Sequence, residues 1–151
     1  MSDRDDRAAR MVEVGSKDVT DRIAVAESVL VAKRTTVERL VAGTPKGDPL
    51  EAARIAGLMA LKRTPELLPF CHPVAVTGAE VAVRPEAEAG RVVVTATVRA
   101  TDRTGVEMEA MTAAAVAALS LYDAAKAFER SARVADVRLL EKRGGTGGDY
   151  P

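Results

Sequence analysis

The segment from Ala110 to Tyr122 carries no charged side chain, and no other feature limits the fold of this chain as strongly. Alanine dominates the segment, and small side chains stand at positions 113, 114, 117 and 118. A helix that is apolar all round is buried on more than one side. In a domain of this size a sheet can cover one face of the helix, so we expect a second subunit to cover the other. A partly exposed alanine-rich helix in a monomer is the alternative.

The composition excludes several classes of protein. The 151 residues suffice for one domain with its own core. Lysine plus arginine and aspartate plus glutamate both total 22, and this zero net charge argues against a general nucleic-acid-binding protein. A single cysteine excludes an internal disulfide. No apolar run reaches the roughly 18 residues of a spanning helix. The charged N-terminus lacks a signal-peptide pattern. We expect a cytoplasmic protein with no nucleic-acid and no membrane partner.

Hydrophobic periodicity and turn residues predict the order of the regular elements. We predict strand 23–31, helix 35–41, helix 48–64, strand 74–84, strand 91–101, helix 108–130 and strand 134–140. This order is the split βαβ plan of a ferredoxin-like α+β sandwich, with an antiparallel sheet and two main helices. We further predict a disordered N-terminal segment 1–10, a single catalytic α+β domain 11–143 and a flexible glycine-rich tail 144–151.

The start of the helix at residue 48 has the clearest local signal. Asp48 can cap the free backbone N–H groups, Pro49 suits the first helical position, and Glu51 can close a capping box. Pro65 is expected to stop the helix near Thr64.

The only cysteine and the only histidine of the chain, Cys71 and His72, stand side by side after Phe70 and between two prolines. Three interpretations follow from the residues. A zinc site would need Glu107 and Glu109 to complete the ligand set. A nucleophilic cysteine would need a base placed in space, since adjacent side chains of an extended backbone point apart. A buried cysteine beside a hydrogen-bonded structural histidine needs nothing further.

Two carboxylates, Glu107 and Glu109, follow the glycine turn at Gly105 and precede the uncharged segment. If they straddle the helix start, Glu109 interacts favourably with the helix dipole. Carboxylate oxygens also suit the N–H donors of a guanine-type or pterin edge. Both the capping role and the recognition role remain open.

Further along the chain, Asp123 and Lys126 are three positions apart and share one helix face. A surface ion pair of this kind adds little stability. Because the pair follows an uncharged segment that we expect to be buried, perturbed pKa values are the alternative. Lys46 precedes a helix start, where backbone N–H groups assist anion binding. Lys62 continues an apolar row, which is unusual for a solvated lysine unless it snorkels at the helix end.

A set of segments occurring in order resembles the molybdenum cofactor biosynthesis protein C family over about residues 11–149. The segments are Met-Val-Glu-Val (11–14), Lys-Gly-Asp-Pro (46–49), Ala-Arg-Ile-Ala-Gly (53–57), Lys-Arg-Thr (62–64), Leu-Leu-Pro-Phe-Cys-His-Pro (67–73), Thr-Gly-Val-Glu-Met-Glu-Ala-Met-Thr-Ala (104–113), Val-Ala-Ala-Leu (116–119), Tyr-Asp (122–123) and Lys-Ala (126–127). The resemblance implies a ferredoxin-like subunit that forms a hexamer, a trimer of dimers. Members convert a cyclic dihydroguanosine triphosphate, their small-molecule partner, into cyclic pyranopterin monophosphate and pyrophosphate.

The resemblance also implies roles for individual residues. Those implied to be catalytic are Asp123, Lys126 and Lys46. Those implied to bind substrate are Phe70, Cys71, His72, Glu107, Met108, Glu109, Lys62, Arg22 and Lys142. No metal and no cofactor is required, and Mg²⁺ carried with the triphosphate is compatible with the scheme. The cations would neutralise the triphosphate, while Asp123 and Lys126 would move protons with pKa values shifted towards neutrality.

Two positions of the implied site are far apart on one helix. Glu109 and Asp123 are fourteen residues apart, or about 21 Å along an ideal helix. We therefore expect a site shared between subunits, with Glu109 from one and Asp123 from the other. The tail departs from the family, because Thr146-Gly147 replaces the usual Lys-Ser. A weaker affinity, or a cation supplied by Arg143, would follow if that lysine binds phosphate.

Overall fold

A computed structural model describes residues 7–145 and 147–151. Residues 1–6 of the predicted disordered segment and Thr146 of the tail lie outside the described residues. The division into residues 1–10, 11–143 and 144–151 stays a prediction.

The described chain forms one four-stranded sheet with helices packed against it. In chain order the elements are β1 (Thr20–Val31), α1 (Arg34–Ala42), α2 (Pro49–Lys62), α3 (Thr64–Leu67), β2 (Val76–Glu86), β3 (Arg91–Asp102), α4 (Glu107–Ala125) and β4 (Arg133–Arg143). The strand order is β2-β3-β1-β4, and every neighbouring pair is antiparallel. The predicted α+β class with the ferredoxin-like split βαβ plan is confirmed.

The core lies between the sheet and the pair α2 and α4. Alternate residues of β1 and β3 point into it, among them Ala24, Leu30 and Val94, all fully buried. Small side chains allow close packing of the layers. On α2, a Cβ at Gly57 would lie 3.1 Å from the Ala113 carbonyl oxygen of α4, so glycine permits the two helices to approach.

The start of α2 confirms the predicted cap at Asp48 but not the predicted capping box. The Asp48 side chain accepts hydrogen bonds from Leu50 N at 2.9 Å and Glu51 N at 3.4 Å. The Glu51 carboxylate pairs with Arg54 one turn further on, rather than returning to the Asp48 backbone as the capping-box prediction required. The helix ends at Lys62, and Pro65 lies in the first turn of α3.

The end of α4 differs from the prediction, because the helix stops at Ala125 and not at Arg130. The N–H groups of Phe128 and Glu129 both bind the Ala125 carbonyl, which turns the chain. The Phe128 ring lies under the Arg39 guanidinium of α1, at 4.5 Å from the ring centroid. This cation–π contact between two elements is tertiary and leaves no trace in the periodicity.

One face of α4 is not covered by the described part of its own chain. The alanines at 110, 113, 114 and 117 are fully buried against the sheet and α2, whereas Met108 and Leu119 are 41% and 57% exposed. On α2, Ile55 and Met59 are each 49% exposed. The predicted burial of α4 on more than one side is therefore not achieved within one chain. Among the described residues no helix has both the length and the apolar character needed to cross a bilayer.

Candidate functional site

The residues singled out from the sequence gather mainly at the two ends of α4. We call the cavity at the N-terminal end of the helix the Glu109 cavity; its volume is about 360 Å³. It is lined by Lys17, Arg22, Phe70, Cys71, His72, Thr104, Gly105, Glu107, Met108, Glu109, Lys142 and Gly147. We call the cavity at the C-terminal end the Asp123 cavity; its volume is about 300 Å³. Its lining includes residues 44–49, Ala52, Ser120, Asp123, Ala124, Ala127 and Phe128.

Glu109 is the buried polar centre of the first cavity. The residue is only 2% exposed, because the first turn of α4 packs into the fold immediately after Val106. Its Oε1 accepts a hydrogen bond from the Cys71 thiol at 3.6 Å, whereas Oε2 has no partner within the described residues. Burial raises the pKa of Glu109 above its ordinary value. A buried carboxylate oxygen with no donor is suited to a ligand that brings one.

Cys71 serves as a hydrogen-bond donor to this carboxylate. Burial, followed by the charge of Glu109, raises the pKa of the thiol to about 11. The thiolate is therefore scarce near neutral pH, which argues against the nucleophile interpretation. The described residues contain no group of three or more His, Cys, Asp and Glu side chains that would hold a metal ion, so the zinc interpretation gains no support from the geometry. The hydrogen-bonding interpretation fits best.

Cations surround the carboxylates of the Glu109 cavity. Lys142, at the end of β4, places Nζ 3.2 Å from Glu107 Oε1. Arg22 of β1 is 9% exposed and donates from Nε to the Asp102 carbonyl at 3.0 Å and from Nη2 to the Arg103 carbonyl at 2.9 Å. A Cβ at Gly145 would collide with its guanidinium, so the tail approaches Arg22 only through glycine. Lys17 also lines the cavity. The sequence did not identify it as a site residue, because a single lysine in a polar segment is not distinctive.

A tight loop forms one wall of the Asp123 cavity. Thr44 and Gly47 exchange two backbone hydrogen bonds, at 3.0 and 2.9 Å, and Gly47 adopts a φ of 119°. The loop therefore holds Lys46 at the rim. Ser120 and Phe128 line the same cavity. Sequence reasoning missed both, because a serine and a phenylalanine in an apolar helical pattern are unremarkable there.

Asp123 and Lys126 form the predicted pair, with 2.7 Å between Oδ1 and Nζ. Their side chains are 70% and 57% exposed, so the predicted burial of the pair is wrong for the single chain. The hydrogen bond and charge of Lys126 lower the pKa of Asp123, and Asp123 in turn raises the pKa of Lys126. Both shifts favour the ionised forms and lead away from the pKa values near neutrality that proton transfer calls for.

The structure does not join the two halves of the predicted site within one chain. Glu109 and Asp123 lie at opposite ends of α4, and none of the described residues lines both of their cavities. Lys62 lines neither cavity and is exposed at the end of α2. Arg143, considered as a substitute for the tail lysine, instead contacts Glu141 at 3.1 Å and Asp149 at 3.4 Å.

Comparison with known proteins gives one consistent result. The model described as the MoaC family matches residues 11–145. A protein of Streptomyces griseus subsp. griseus named cyclic pyranopterin monophosphate synthase is 54% identical over 144 residues, which cover 95% of this chain and 80% of that protein. A protein of the same name from Pelotomaculum thermopropionicum is 50% identical over 143 residues, covering 94% of this chain and 84% of the relative. Another from Roseiflexus sp. is 50% identical over 143 residues, covering 94% and 90%.

Proposed function

Since the chain belongs to the MoaC family, we propose that it acts as a cyclic pyranopterin monophosphate synthase in molybdenum cofactor biosynthesis. The substrate is 3',8-cyclo-7,8-dihydroguanosine 5'-triphosphate, and the products are cyclic pyranopterin monophosphate and pyrophosphate. By this reaction the enzyme is a pyrophosphate-releasing lyase. We propose that it acts in the cytoplasm.

The observation that carries the proposal is the unpartnered Oε2 of Glu109 inside a cavity ringed by cations. A guanine-derived ring presents N–H donors, which a buried carboxylate accepts strongly. Phe70 and Met108 offer apolar contact area at the same rim, with 55% and 41% exposure. Arg22 and Lys142 line the same cavity and offer cationic groups to the triphosphate. The cavity thus pairs a ring-recognition group with phosphate-binding groups.

A complete site requires a second subunit. The Glu109 cavity lacks Asp123, Lys126 and Lys46, while the Asp123 cavity has, among the described residues, no carboxylate that is buried and unpartnered. Joining the Glu109 cavity of one subunit to the Asp123 cavity of another would unite all of them. The exposed apolar side chains of α2 and α4 supply a surface for such an assembly. We propose a homohexamer, a trimer of dimers, with sites at the subunit contacts.

The chemistry is an acid–base rearrangement. A sugar hydroxyl attacks the inner phosphorus; a new P–O bond forms, the bond from that phosphorus to the bridging oxygen breaks, and pyrophosphate leaves with the electron pair and takes up the hydroxyl proton. Lys46, Lys62, Arg22 and Lys142 neutralise the departing charge. Asp123 and Lys126 exchange protons with the ring system, and desolvation by a second subunit would bring the pKa values of both groups back towards neutrality. No cofactor is required for these steps, and Mg²⁺ carried with the triphosphate is compatible with them.

Incubation with the cyclic dihydroguanosine triphosphate, followed by measurement of pyrophosphate, tests the proposal. A non-catalytic pterin- or nucleotide-binding protein would bind the compound and release none. A structural partner in a cofactor-assembly complex would do neither. The Asp123→Asn variant is the control, because it keeps the side-chain volume and removes the charge.

A further inference from the structure

A carboxylate outside the Glu109 cavity, Asp102 at the end of β3, fastens the segment that carries His72. Asp102 Oδ2 accepts a hydrogen bond from the backbone N–H of Ala75 at 2.9 Å, and Oδ1 accepts one from the N–H of Arg103 at 2.7 Å. These bonds lower the pKa of Asp102, the Ala75 bond contributing most. The carboxylate is therefore ionised at neutral pH, and hydrogen bonds to an ionised acceptor are roughly twice as strong as neutral ones.

The segment 70–75 has few other attachments. Within the described residues, the hydrogen bonds that tie it to other elements are the Cys71 thiol to Glu109, at 3.6 Å, and Ala75 N to Asp102. His72 lies between these two points. The remaining hydrogen bonds of the segment are local, such as Cys71 N to the Leu68 carbonyl and Val76 N to the Val74 carbonyl. A weak hydrogen bond from a thiol thus holds one end of the segment, and a hydrogen bond to a charged carboxylate holds the other.

The same residue reaches the cavity by a second route. The Asp102 carbonyl accepts from Arg22 Nε, and the neighbouring Arg103 carbonyl accepts from Arg22 Nη2. Asp102 therefore sits between the histidine segment on one side and a cavity cation on the other. It is not itself among the residues lining the Glu109 cavity, although it lines an adjacent cavity together with His72.

We propose that Asp102 is a positioning residue for the substrate-binding segment, acting through the Ala75 N–H to fix where His72 meets the substrate. The inference rests on the proposed function. Loss of the carboxylate leaves the Arg22 contact intact, since that contact uses the backbone carbonyl. Removing the side chain releases two N–H groups, those of Ala75 and Arg103, and of these Ala75 belongs to the histidine segment.

The hydrogen bond from Ala75 N to the Asp102 carboxylate can be removed at either partner. Asp102→Ala removes the acceptor. Ala75→Pro removes the donor, and the backbone tolerates it: Val76 N bonds the Val74 carbonyl in a three-residue turn centred on Ala75, whose φ is not positive. The inverse γ-turn has φ near about −75° at its centre, close to the proline value. Asp21→Ala is the matched control, because Asp21 is an aspartate of β1 whose carboxylate, among the described residues, accepts only from Thr101 Oγ1, at 2.8 Å.

Two measurements test whether Asp102 positions the histidine segment. First, amide hydrogen exchange of residues 70–75 should speed up about tenfold or more in Asp102→Ala and stay at the wild-type rate in Asp21→Ala. Second, KM for the triphosphate should rise about tenfold in Asp102→Ala and in Ala75→Pro, and the double variant should be no worse than either single one. Asp102→Asn should fall between Ala and wild type, because its one acceptor oxygen serves only one of the two N–H groups.

Several outcomes would overturn the inference: unchanged exchange of residues 70–75 in Asp102→Ala, KM within twofold of wild type, or additive effects in the double variant. An equal loss in Asp21→Ala would also do so, since it would reveal general destabilisation of the strand ends. If wild-type protein releases no pyrophosphate, the proposed function fails separately. The dissociation constant of the triphosphate, measured by calorimetry in the same variants, then takes the place of KM.

Discussion

The Cys71 thiol and the Glu109 carboxylate meet across the wall of the cavity, with Sγ 3.6 Å from Oε1. The contact joins the coil before β2 to the first turn of α4, two parts of the chain that are 38 positions apart. It uses one carboxylate oxygen and leaves the other without a donor. Burial raises the pKa of both groups, and the charge of Glu109 raises the pKa of the thiol further; each shift can be tested in solution.

Glu109→Gln should separate activity from stability. Because burial raises the pKa of Glu109 in the folded state, the folded protein holds a proton that the unfolded chain has released, and wild-type stability falls as pH rises through that interval. The glutamine variant escapes this loss. Its melting temperature should therefore gain on wild type as pH rises above the ordinary glutamic acid range, while kcat/KM falls about ten- to hundredfold. A constant difference in melting temperature between pH 4 and pH 8 would contradict the assignment.

Alkylation of Cys71, the single cysteine, should be slow. With a thiol pKa of about 11, only about one molecule in a thousand carries the thiolate at pH 8. Iodoacetamide should therefore modify the native protein about a hundredfold more slowly than a free thiol. Glu109→Gln should accelerate the reaction by lowering the thiol pKa, without reaching the free-thiol rate, because burial is the larger cause of the shift. Fast modification of wild type would refute the described environment.

Lys46→Ala and Lys62→Ala should raise KM about tenfold each while leaving the melting temperature nearly unchanged, since both side chains are exposed and neither fills the core. Lys33→Ala is the matched control, because Lys33 is exposed and lines neither cavity. Lys62 is the sharper test, as it lies outside both cavities of its own chain. An unchanged KM for Lys62→Ala would mean that no second subunit brings it to the substrate.

Light scattering should give the mass of a hexamer. Met108, Leu119, Ile55 and Met59 leave apolar area on two neighbouring helices exposed in the single chain, and symmetric association would bury it. A monomer at micromolar concentration would remove the basis for both the assembly and the shared site.

Mixing Asp123→Asn with Glu109→Gln should restore activity. Asp123→Asn alone should be inactive, and Glu109→Gln alone should keep about a tenth to a hundredth of the wild-type kcat/KM. If Glu109 and Asp123 serve one site from different subunits, exchange of subunits builds some contacts that carry both native groups. Turnover should return to a fraction of the wild-type rate. No recovery after verified exchange would exclude the shared site and leave the enzymatic function untouched.

Features that depend on neighbours in sequence were predictable. The Asp48–Pro49 helix start and the order of strands and helices along the chain follow from capping, turn residues and alternation, which act within a few residues. The segments 67–73 and 104–113 contribute to the Glu109 cavity, and the segments 46–49 and 122–123 to the Asp123 cavity. The cap at Asp48 is one example where a local rule fixed the geometry, down to the acceptor of two N–H groups.

Tertiary contacts decided the rest. The contact of Phe128 with Arg39 after α4, the exposure of Asp123 and Lys126, and the hydrogen bond from the distant N–H of Ala75 to Asp102 all depend on what packs beside these groups. None of these partners is adjacent in sequence, so periodicity carries no information about them. The sequence by itself determined which side chains stand on which element, because backbone propensity and side-chain period are local. Only the folded chain decided which of those groups are buried, paired or left open to a ligand, because desolvation and hydrogen bonding depend on neighbours in space.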